Sequence, residues 1–231
     1  MGIPVIKPME LTPLSEPFDG EDYYFQIKWD GIRCTAGNYN GDIRLINRRL
    51  NCRNKQYPEI AAAFATFLPA DTLLDGEVIS LNEEGKPDFY RLLKRDLVRS
   101  SARVQGLAKT IPVYYMAFDI LYLRGKKLMA KPLLERLELL NDLIPRSSLV
   151  VPVDSVRARG RDLFQIAKEQ GLEGIVAKQM QSPYVPGEKT GYWFKIKAFR
   201  HLNAKIVGYR RGNGVSLLLA IEDENGFNYI G

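Results

Sequence analysis

Near the N-terminus the chain reads Lys28-Trp29-Asp30-Gly31-Ile32-Arg33, directly after an alternating segment. Apolar side chains recur at every second position of residues 22–29, which predicts a half-buried strand with Lys28 on its polar face. A lysine can attack phosphorus only after its amine loses a proton, and an ordinary pKa of about 10.4 makes that loss rare at neutral pH. Nearby cations lower the pKa of an amine, so a reactive lysine here needs cationic neighbours.

The chain offers such neighbours, together with carboxylates suited to a metal ion. Lys195 and Lys197 are two positions apart, so both point to one face of a strand. Asp75, Glu77 and Glu173 supply hard oxygen ligands of the kind that Mg²⁺ prefers. Taken singly, a strand lysine beside an aspartate is more often a surface ion pair. Taken together, lysines, carboxylates and a divalent metal are the components of phosphoryl transfer.

The rest of the pattern predicts an α+β fold. Strands are expected at 32–38 and 42–48, joined by an Asn40-Gly41 turn, and at 73–81, 113–123, 173–178 and 191–198. Helices are expected from Pro58 to Pro69, across Phe89, Leu92, Leu93 and Leu97, between Pro132 and Pro145, and over 161–170. From residue 203 the pattern becomes purely β, with strands at 203–210, 215–222 and 227–230 separated by turns at Gly212-Asn213-Gly214 and Asn225-Gly226.

Length and composition fit a globular protein and exclude several classes. The chain has 231 residues, of which 45% are hydrophobic and 26% charged. No apolar run approaches the ~20 residues that cross a bilayer, and the N-terminus carries no secretion or myristoylation signal, so a soluble cytoplasmic protein is expected. Cys34 and Cys52 are the only cysteines and His201 is the only histidine, too few for a four-ligand zinc site. We expect both cysteines to be part-buried core residues.

The net charge of +6 is unevenly distributed and favours a polyanionic partner, with nucleic acid ahead of a membrane surface. The segment between Gly174 and Ile221 contains a single acidic residue, Glu188, and eight cationic residues: Lys178, Lys189, Lys195, Lys197, Arg200, Lys205, Arg210 and Arg211. Two further basic stretches are Arg44, Arg48, Arg49, Arg53 and Lys55, and then Arg91, Lys94, Arg95, Arg99 and Arg103. Any one stretch could be a solvated face, but three in one chain favour nucleic acid.

The motifs, in their order and spacing, resemble those of the covalent nucleotidyltransferases, and among them the ATP-dependent DNA ligases of the small bacterial or phage type. The resemblance covers residues 5–230 and begins with the Lys28–Arg33 stretch, which is similar to the motif of the nucleophilic lysine. The other matching segments are Asn47-Arg48-Arg49, Asp75-Gly76-Glu77, Phe118-Asp119-Ile120-Leu121-Tyr122-Leu123, Glu173-Gly174-Ile175-Val176-Ala177-Lys178 and Trp193-Phe194-Lys195-Ile196-Lys197.

The resemblance implies a role for each matched residue. The catalytic residues would be Lys28, Lys195 and Lys197, and the metal ligands would be Glu77 and Glu173. The nucleotide would be bound by Gln26, Ile27, Arg33, Arg48, Glu77, Phe118 and Lys178. The implied cofactors are ATP and Mg²⁺, with Mn²⁺ as a substitute. The implied substrate is nicked double-stranded DNA, and we expect a monomer that works with end-joining or repair proteins.

Two departures from the family pattern shape the expected domains. Gln26 stands where many relatives have glutamate, although its amide oxygen can still accept a hydrogen bond from the adenine amino group. A five-stranded OB fold is expected after Lys197, but only about three strands and no Arg-x-Asp-Lys motif follow.

We therefore expect a nucleotidyltransferase (adenylation) domain of mixed, largely antiparallel sheets with flanking helices over 1–199, and an incomplete OB-fold domain over 200–231. The alternatives are an RNA ligase, a GTP-dependent capping-type enzyme and a catalytically idle nucleic-acid-binding domain.

Overall fold

The computed structural model describes residues 2–145, 149–199, 203–212, 214–224 and 226–230. The chain separates into two compact units, Met1–Ala198 and Phe199–Gly231. Arg200, His201, Asn213, Asn225 and Gly231 lie outside the described residues, and so do the predictions that concern them. No helix within the described ranges is long and apolar enough to span a membrane.

The first sheet of the larger unit brings the reactive segments together. Its strands are β1 (Glu10–Leu14), β2 (Gly20–Ile27), β9 (Val156–Ala158), β10 (Gly174–Gln179) and β11 (Lys189–Lys197), in the spatial order β1-β11-β10-β2-β9. β1 runs parallel to β11, whereas the other neighbours are antiparallel. Because β10 lies between β2 and β11, the end of β2 and the end of β11 meet at the start of β10.

The second sheet is built around a hairpin. Its strands are β3 (Ile32–Tyr39), β4 (Asp42–Asn47), β5 (Thr72–Ser80), β6 (Val113–Leu123) and β7 (Lys126–Lys127), ordered β4-β3-β5-β6-β7, with β8 (Val150–Pro152) parallel beside β6. The predicted Asn40-Gly41 turn joins β3 to β4, and its φ angles of 54° and 97° are the left-handed values that a two-residue hairpin requires.

Helices cover both sheets. α1 (Pro58–Phe67) and α4 (Leu133–Leu143) bury their apolar faces in the core of the second sheet, and α5 (Gly160–Glu169) packs Ala167 against the first. Pro58 occupies the first turn of α1, where its missing N–H costs nothing. α2 (Phe89–Asp96) and α3 (Ser101–Thr110) lie in the connection between β5 and β6.

The smaller unit is an antiparallel sheet of β12 (Lys205–Arg211), β13 (Val215–Asp223) and β14 (Gly226–Tyr229), paired in chain order. Apolar side chains remain exposed on it, among them Ile206, Leu217 and Phe227.

The structure corrects the prediction for the first strand. β2 ends at Ile27 rather than near Trp29, so Lys28 lies just beyond the strand. Gln26, two positions before Lys28 and so on the same predicted polar face, is only 2% exposed. The face of β2 that carries Gln26 lines the cavity between the two sheets. β2 is also hydrogen-bonded to a strand on each side, β10 and β9, so it is an inner strand of the sheet.

Three further predictions were wrong in part. Leu97 follows the last residue of α2 and is 71% exposed, because the helix that would have buried it has already ended. Arg95, counted among solvated cations, is buried and paired with Glu59 of α1. Cys34 is buried in β3, but Cys52 is exposed.

Candidate active site

A cavity of about 810 Å³ opens between the two sheets. The first sheet contributes Gln26, Ile27, Lys178, Trp193 and Lys195 to its wall, and the second contributes Arg33, Glu77 and Phe118, with Lys28 between them. All seven nucleotide-binding residues predicted from sequence, including Arg48, therefore line one cavity.

Lys28 is held at the rim of this cavity by the start of β10. Its backbone N–H donates to the carbonyl of Gly174, and its Nζ lies 2.5 Å from Oε2 of Glu173. Gly174 has a φ of 139°, and a Cβ there would lie 2.1 Å from the carbonyl oxygen of Ile196. Only glycine allows β11 to approach so closely, and this approach brings Lys197 beside the same carboxylate.

Glu173 is shared by two lysines. Nζ of Lys197 lies 2.8 Å from Oε1, while Lys28 occupies Oε2. Burial alone would raise the pKa of Glu173, but hydrogen bonds from Lys197 and Lys28, with their charges, outweigh it and lower the pKa. Asp30 lies in the same field, and its pKa is raised by burial and by the charge of Glu173.

The paired lysines of β11 have different surroundings. Lys197 is bound to Glu173, whereas Lys195 lines the cavity and has no carboxylate within ion-pair distance in the described ranges. Their two-residue spacing puts them on the same side of the strand, as predicted. Only Lys197, however, contacts Glu173, the carboxylate that also binds Lys28.

Arg33 is fixed from behind by a buried carboxylate. Its Nε and Nη2 donate to both oxygens of Asp75, at 3.1 and 2.6 Å, and the hydroxyl of Tyr184 donates to the same carboxylate at 2.7 Å. Burial lowers the pKa of Arg33, but the charge of Asp75 more than compensates, so the pKa is raised. Asp75 is fully buried and fully engaged. Asp75 is thus paired with Arg33 and does not line the cavity, although the sequence predicts it as one of the possible metal-binding carboxylates.

Glu77 is the carboxylate that remains available. It lies opposite Arg33 in the β3–β5 pair and faces the cavity, and no hydrogen bond or ion pair reaches it from the described residues. Burial raises its pKa to about 8, against the opposing charges of Arg33 and Lys28. Within the described ranges no three acidic, histidine or cysteine side chains cluster around one point. A divalent ion here would thus depend on Glu77, Glu173 and the phosphates of a substrate.

An aromatic platform with a buried lysine beneath it forms another wall. Nζ of Lys178 lies 4.5 Å from the ring centre of Phe118 and 4.1 Å from that of Trp193, and it donates to the carbonyl of Phe118 at 3.1 Å. Arg33 lies 5.3 Å from the same Phe118 ring. Burial lowers the pKa of Lys178 to about 7.

The two remaining predicted contacts lie at opposite ends of the cavity. The amide nitrogen of Gln26 donates to Ser155 at 2.9 Å, which leaves the amide oxygen available as an acceptor. Arg48 lies at the mouth, 67% exposed, with Nη2 2.6 Å from Oε1 of Glu10, and its hydrogen bond lowers the pKa of Glu10.

Sequence reasoning missed two side chains of this site. Ser155 and Tyr184 belong to no motif that signals a nucleotide site, and each meets its partner only through the fold. Trp193 is buried in the core and also lines the cavity.

The comparisons with known proteins agree with this geometry. The family model of the ATP dependent DNA ligase domain matches residues 9–197. The chain belongs to this family. The predicted family and the predicted α+β ligase fold are therefore confirmed, and the capping-type and RNA-ligase alternatives are not favoured.

Individual relatives show how far the similarity extends. The chain is 33% identical over 218 residues to the SPbeta prophage-derived DNA ligase-like protein LigB of Bacillus subtilis (strain 168), covering 94% of this chain and 76% of LigB. It is 28% identical over 220 residues to the multifunctional non-homologous end joining protein LigD of Mycolicibacterium smegmatis, covering 93% of this chain but 27% of LigD.

Solved structures give the same result. The crystal structure of the ligase domain from M. tuberculosis LigD matches with a TM-score of 0.69 at 27% identity, covering 98% of this chain and 71% of that one. A mycobacterial DNA ligase D complexed with ATP and MES matches with a TM-score of 0.66, also at 27% identity and with the same coverage.

Proposed function

We propose that the chain seals nicks in double-stranded DNA through a lysyl-AMP intermediate. In the first step Nζ of Lys28 attacks the α-phosphorus of ATP, a P–N bond forms and pyrophosphate leaves. In the second step the AMP passes to the 5′-phosphate at the nick. In the third step the 3′-hydroxyl attacks that phosphate, AMP leaves and a phosphodiester bond joins the strand.

The observation that carries this proposal is the position of Lys28, which lines the nucleotide-sized cavity and binds one oxygen of Glu173 while Lys197 binds the other. An amine that attacks must be deprotonated, and Glu173, 2.5 Å from Nζ, holds the Lys28 side chain at the rim of the cavity where the attack would occur. Lys197 binds the other oxygen of the same carboxylate, and its positive charge weakens the attraction between Glu173 and the Lys28 ammonium. Lys195, unpaired and facing the cavity, is suited to hold the α-phosphate in line for attack.

The remaining wall residues suit an adenine nucleotide. Phe118, whose ring lies 4.5 Å from the Lys178 amine, offers a ring face on which the base can stack. The amide oxygen of Gln26 is available to accept a hydrogen bond from the adenine amino group. Ile27, which also lines the cavity, supports the edge of the adenine ring. Arg33, held rigidly by Asp75, and Arg48, at the open mouth, are suited to the sugar and to the incoming 5′-phosphate.

Mg²⁺, or Mn²⁺ in its place, would be held by Glu77, which has no partner in the described ranges, and by Glu173, which would share its oxygens between the metal and the two lysines. Glu77 is buried with a pKa near 8 and has no partner in the described ranges, so a bound cation would favour its ionised form. Glu77 and Glu173 would hold the metal, which would supply charge neutralisation of the phosphates. Glu77, which lines the cavity, is also suited to accept a hydrogen bond from a ribose hydroxyl.

We also propose that residues 1–199 form the adenylation domain and that 200–231 form part of an OB fold, supported by the three antiparallel strands of the smaller unit. We further propose that the protein is a monomer and is located in the cytoplasm. The LigD relatives are named as end-joining proteins, which makes end-joining or repair proteins the partners to test.

The test is covalent labelling with α-labelled ATP, with GTP as the competing nucleotide, followed by a denaturing gel. We expect label from ATP only, bonded to Lys28, lost in acid and stable in mild base, as for a phosphoramidate. Addition of nicked duplex should then chase the label and yield sealed strands. Label on another residue, or normal labelling of Lys28→Ala, would refute the lysyl-AMP mechanism. Labelling from GTP would support the capping-type alternative, and the absence of any label would support an idle binding domain.

A further inference from the structure

The outer surface of the α2–α3 connection carries cations that the fold does not use. Residues 89–110 contain six cationic residues and a single acid, Asp96. Asp96 is buried and accepts from Tyr57, so it neutralises nothing at the surface of this segment. Of the cations, Arg95 is buried against Glu59 and Arg91 donates to the carbonyl of Thr110, so both support the fold.

Three of the others form one cluster, which we call the cationic patch: Lys94, Arg99 and Arg103. All three are exposed, and no carboxylate in the described ranges lies within ion-pair distance of any of them. Several other surface cations pair with acids, as in Arg44–Asp42, Arg48–Glu10, Lys86–Glu84, Lys131–Glu135 and Lys205–Glu222. Exposed lysines such as Lys126 and Lys168 also have no carboxylate within ion-pair distance in the described ranges, so what distinguishes the patch is that its three cations line one depression. Three unpaired like charges around one depression repel one another, so the patch is suited to an anionic partner.

The patch continues the surface of the nucleotide cavity. Its three cations line a depression of about 690 Å³, and Leu97 lines both this depression and the main cavity. On the other side of α2, Phe89 and Leu93 face the main cavity. The segment from α2 to the start of α3 therefore borders both spaces, with Phe89 and Leu93 on the main cavity and Lys94, Arg99 and Arg103 on the depression.

We propose that the cationic patch binds backbone phosphates of the duplex that flanks the nick. This inference rests on the proposed function, because it uses the cavity as the place where the nick is held. A duplex whose nick reaches that cavity must extend beyond it, and the wall that it meets at Leu97 carries unpaired positive charge. Backbone phosphates recur regularly along a strand regardless of sequence, so three adjacent cations can each neutralise one.

An apolar contribution accompanies the charges. Tyr90 is 79% exposed and lies four residues before Lys94 on α2, so the two side chains are neighbours on one helix face. Tyr90 and Leu97 give the patch apolar surface beside its cations, which suits contact with the sugars between phosphates.

The test compares two triple variants of the full chain in binding to a nicked duplex over a range of salt. The first is Lys94→Gln/Arg99→Gln/Arg103→Gln. The matched control is Lys126→Gln/Lys127→Gln/Lys168→Gln, which removes the same charge from exposed lysines that line neither cavity. Each phosphate contact contributes about 0.9 to the slope of log affinity against log salt. We expect the patch variant to lower that slope by about 2 to 3 and to weaken binding at least roughly ten-fold at 0.1 M salt. The control should change both by much less.

The outcomes separate this inference from the proposed function. Wild-type protein that labels on Lys28 and binds nicked duplex, with the patch variant binding equally well at the same slope, would overturn the inference and leave the ligase proposal in place. Equal losses in both triple variants would also overturn it, because they would show a general effect of net charge. A wild-type chain that neither labels nor binds nicked duplex would instead refute the proposed function.

Discussion

Replacing Lys178 with methionine removes the buried amine, keeps an unbranched side chain that is one atom shorter, and should change how stability depends on pH. Lys178 is only 2% exposed, and burial lowers its pKa to about 7 from an ordinary value of 10.5. Between these two pH values the unfolded chain carries a proton that the folded protein has lost. The free energy of unfolding therefore rises with pH across this interval. Below pH 7 both states are protonated, and the folded protein bears the full cost of burying the charge.

The size of the effect follows from the difference between the two pKa values. That difference corresponds to at most about 5 kcal/mol, at 1.36 kcal/mol per unit. About 3 kcal/mol of it should develop between pH 6.5 and 9.5. The variant also loses the hydrogen bond from Lys178 to the carbonyl of Phe118 and the contacts with the rings. These losses shift its stability by a constant and do not alter the pH dependence.

The measurement is urea unfolding of the wild type and of Lys178→Met at several pH values, with the two free energies subtracted. The subtraction cancels every other titrating group. We expect the wild type to gain about 3 kcal/mol on the variant between pH 6.5 and 9.5. Lys168→Met, at an exposed position of α5, should give a flat difference. A flat difference for Lys178→Met as well would refute the argument that this amine is buried at a cost and titrates near neutrality.

Other outcomes follow from the same structure. Lys28→Ala should abolish AMP attachment. Lys195→Ala should strongly slow AMP attachment while leaving the free energy of unfolding within about 0.5 kcal/mol of the wild-type value, as expected for a residue outside the core. A normal labelling rate would show that Lys195 takes no part in the reaction. Asp119→Ala should cost about 3–5 kcal/mol, because it leaves Arg136 buried without its partner. A urea midpoint close to that of the wild type would show that Arg136 finds another partner.

Local signals account for what the sequence predicts correctly. The Asn40-Gly41 turn forces a hairpin by its own backbone preference, and Val113–Leu123 is a strand with the predicted bounds because its apolar pattern covers its whole length. The motif spacing also predicts that Lys28 and the 195–197 segment meet. Their meeting depends on β10 lying between β2 and β11, which is set by the topology of the sheet.

What the sequence misses depends on distant partners. Ser155 meets Gln26 across 129 positions and Tyr184 meets Asp75 across 109, and no local pattern encodes either contact. Charge counting fails at Arg95 for the same reason, since Glu59 on another helix allows it to be buried. Short elements such as β1 and β9 are also missed, because they are stabilised by neighbouring strands rather than by their own composition.

The aromatic platform shows how a buried ion pair can support a residue of the cavity wall. On β6, Phe118 faces the cavity while the next residue, Asp119, points to the opposite side and forms a fully buried pair with Arg136. Arg136 also donates to the carbonyl of Ser182, in the segment that leads to Tyr184. A buried ion pair adds little net stability, because desolvation offsets its attraction, but it tolerates few alternative arrangements. We infer that this pair fixes the register of β6 and so the tilt of Phe118. Asp75 fixes Arg33 in the same manner from β5, so Phe118 and Arg33 are each oriented by a fully buried carboxylate behind the cavity wall.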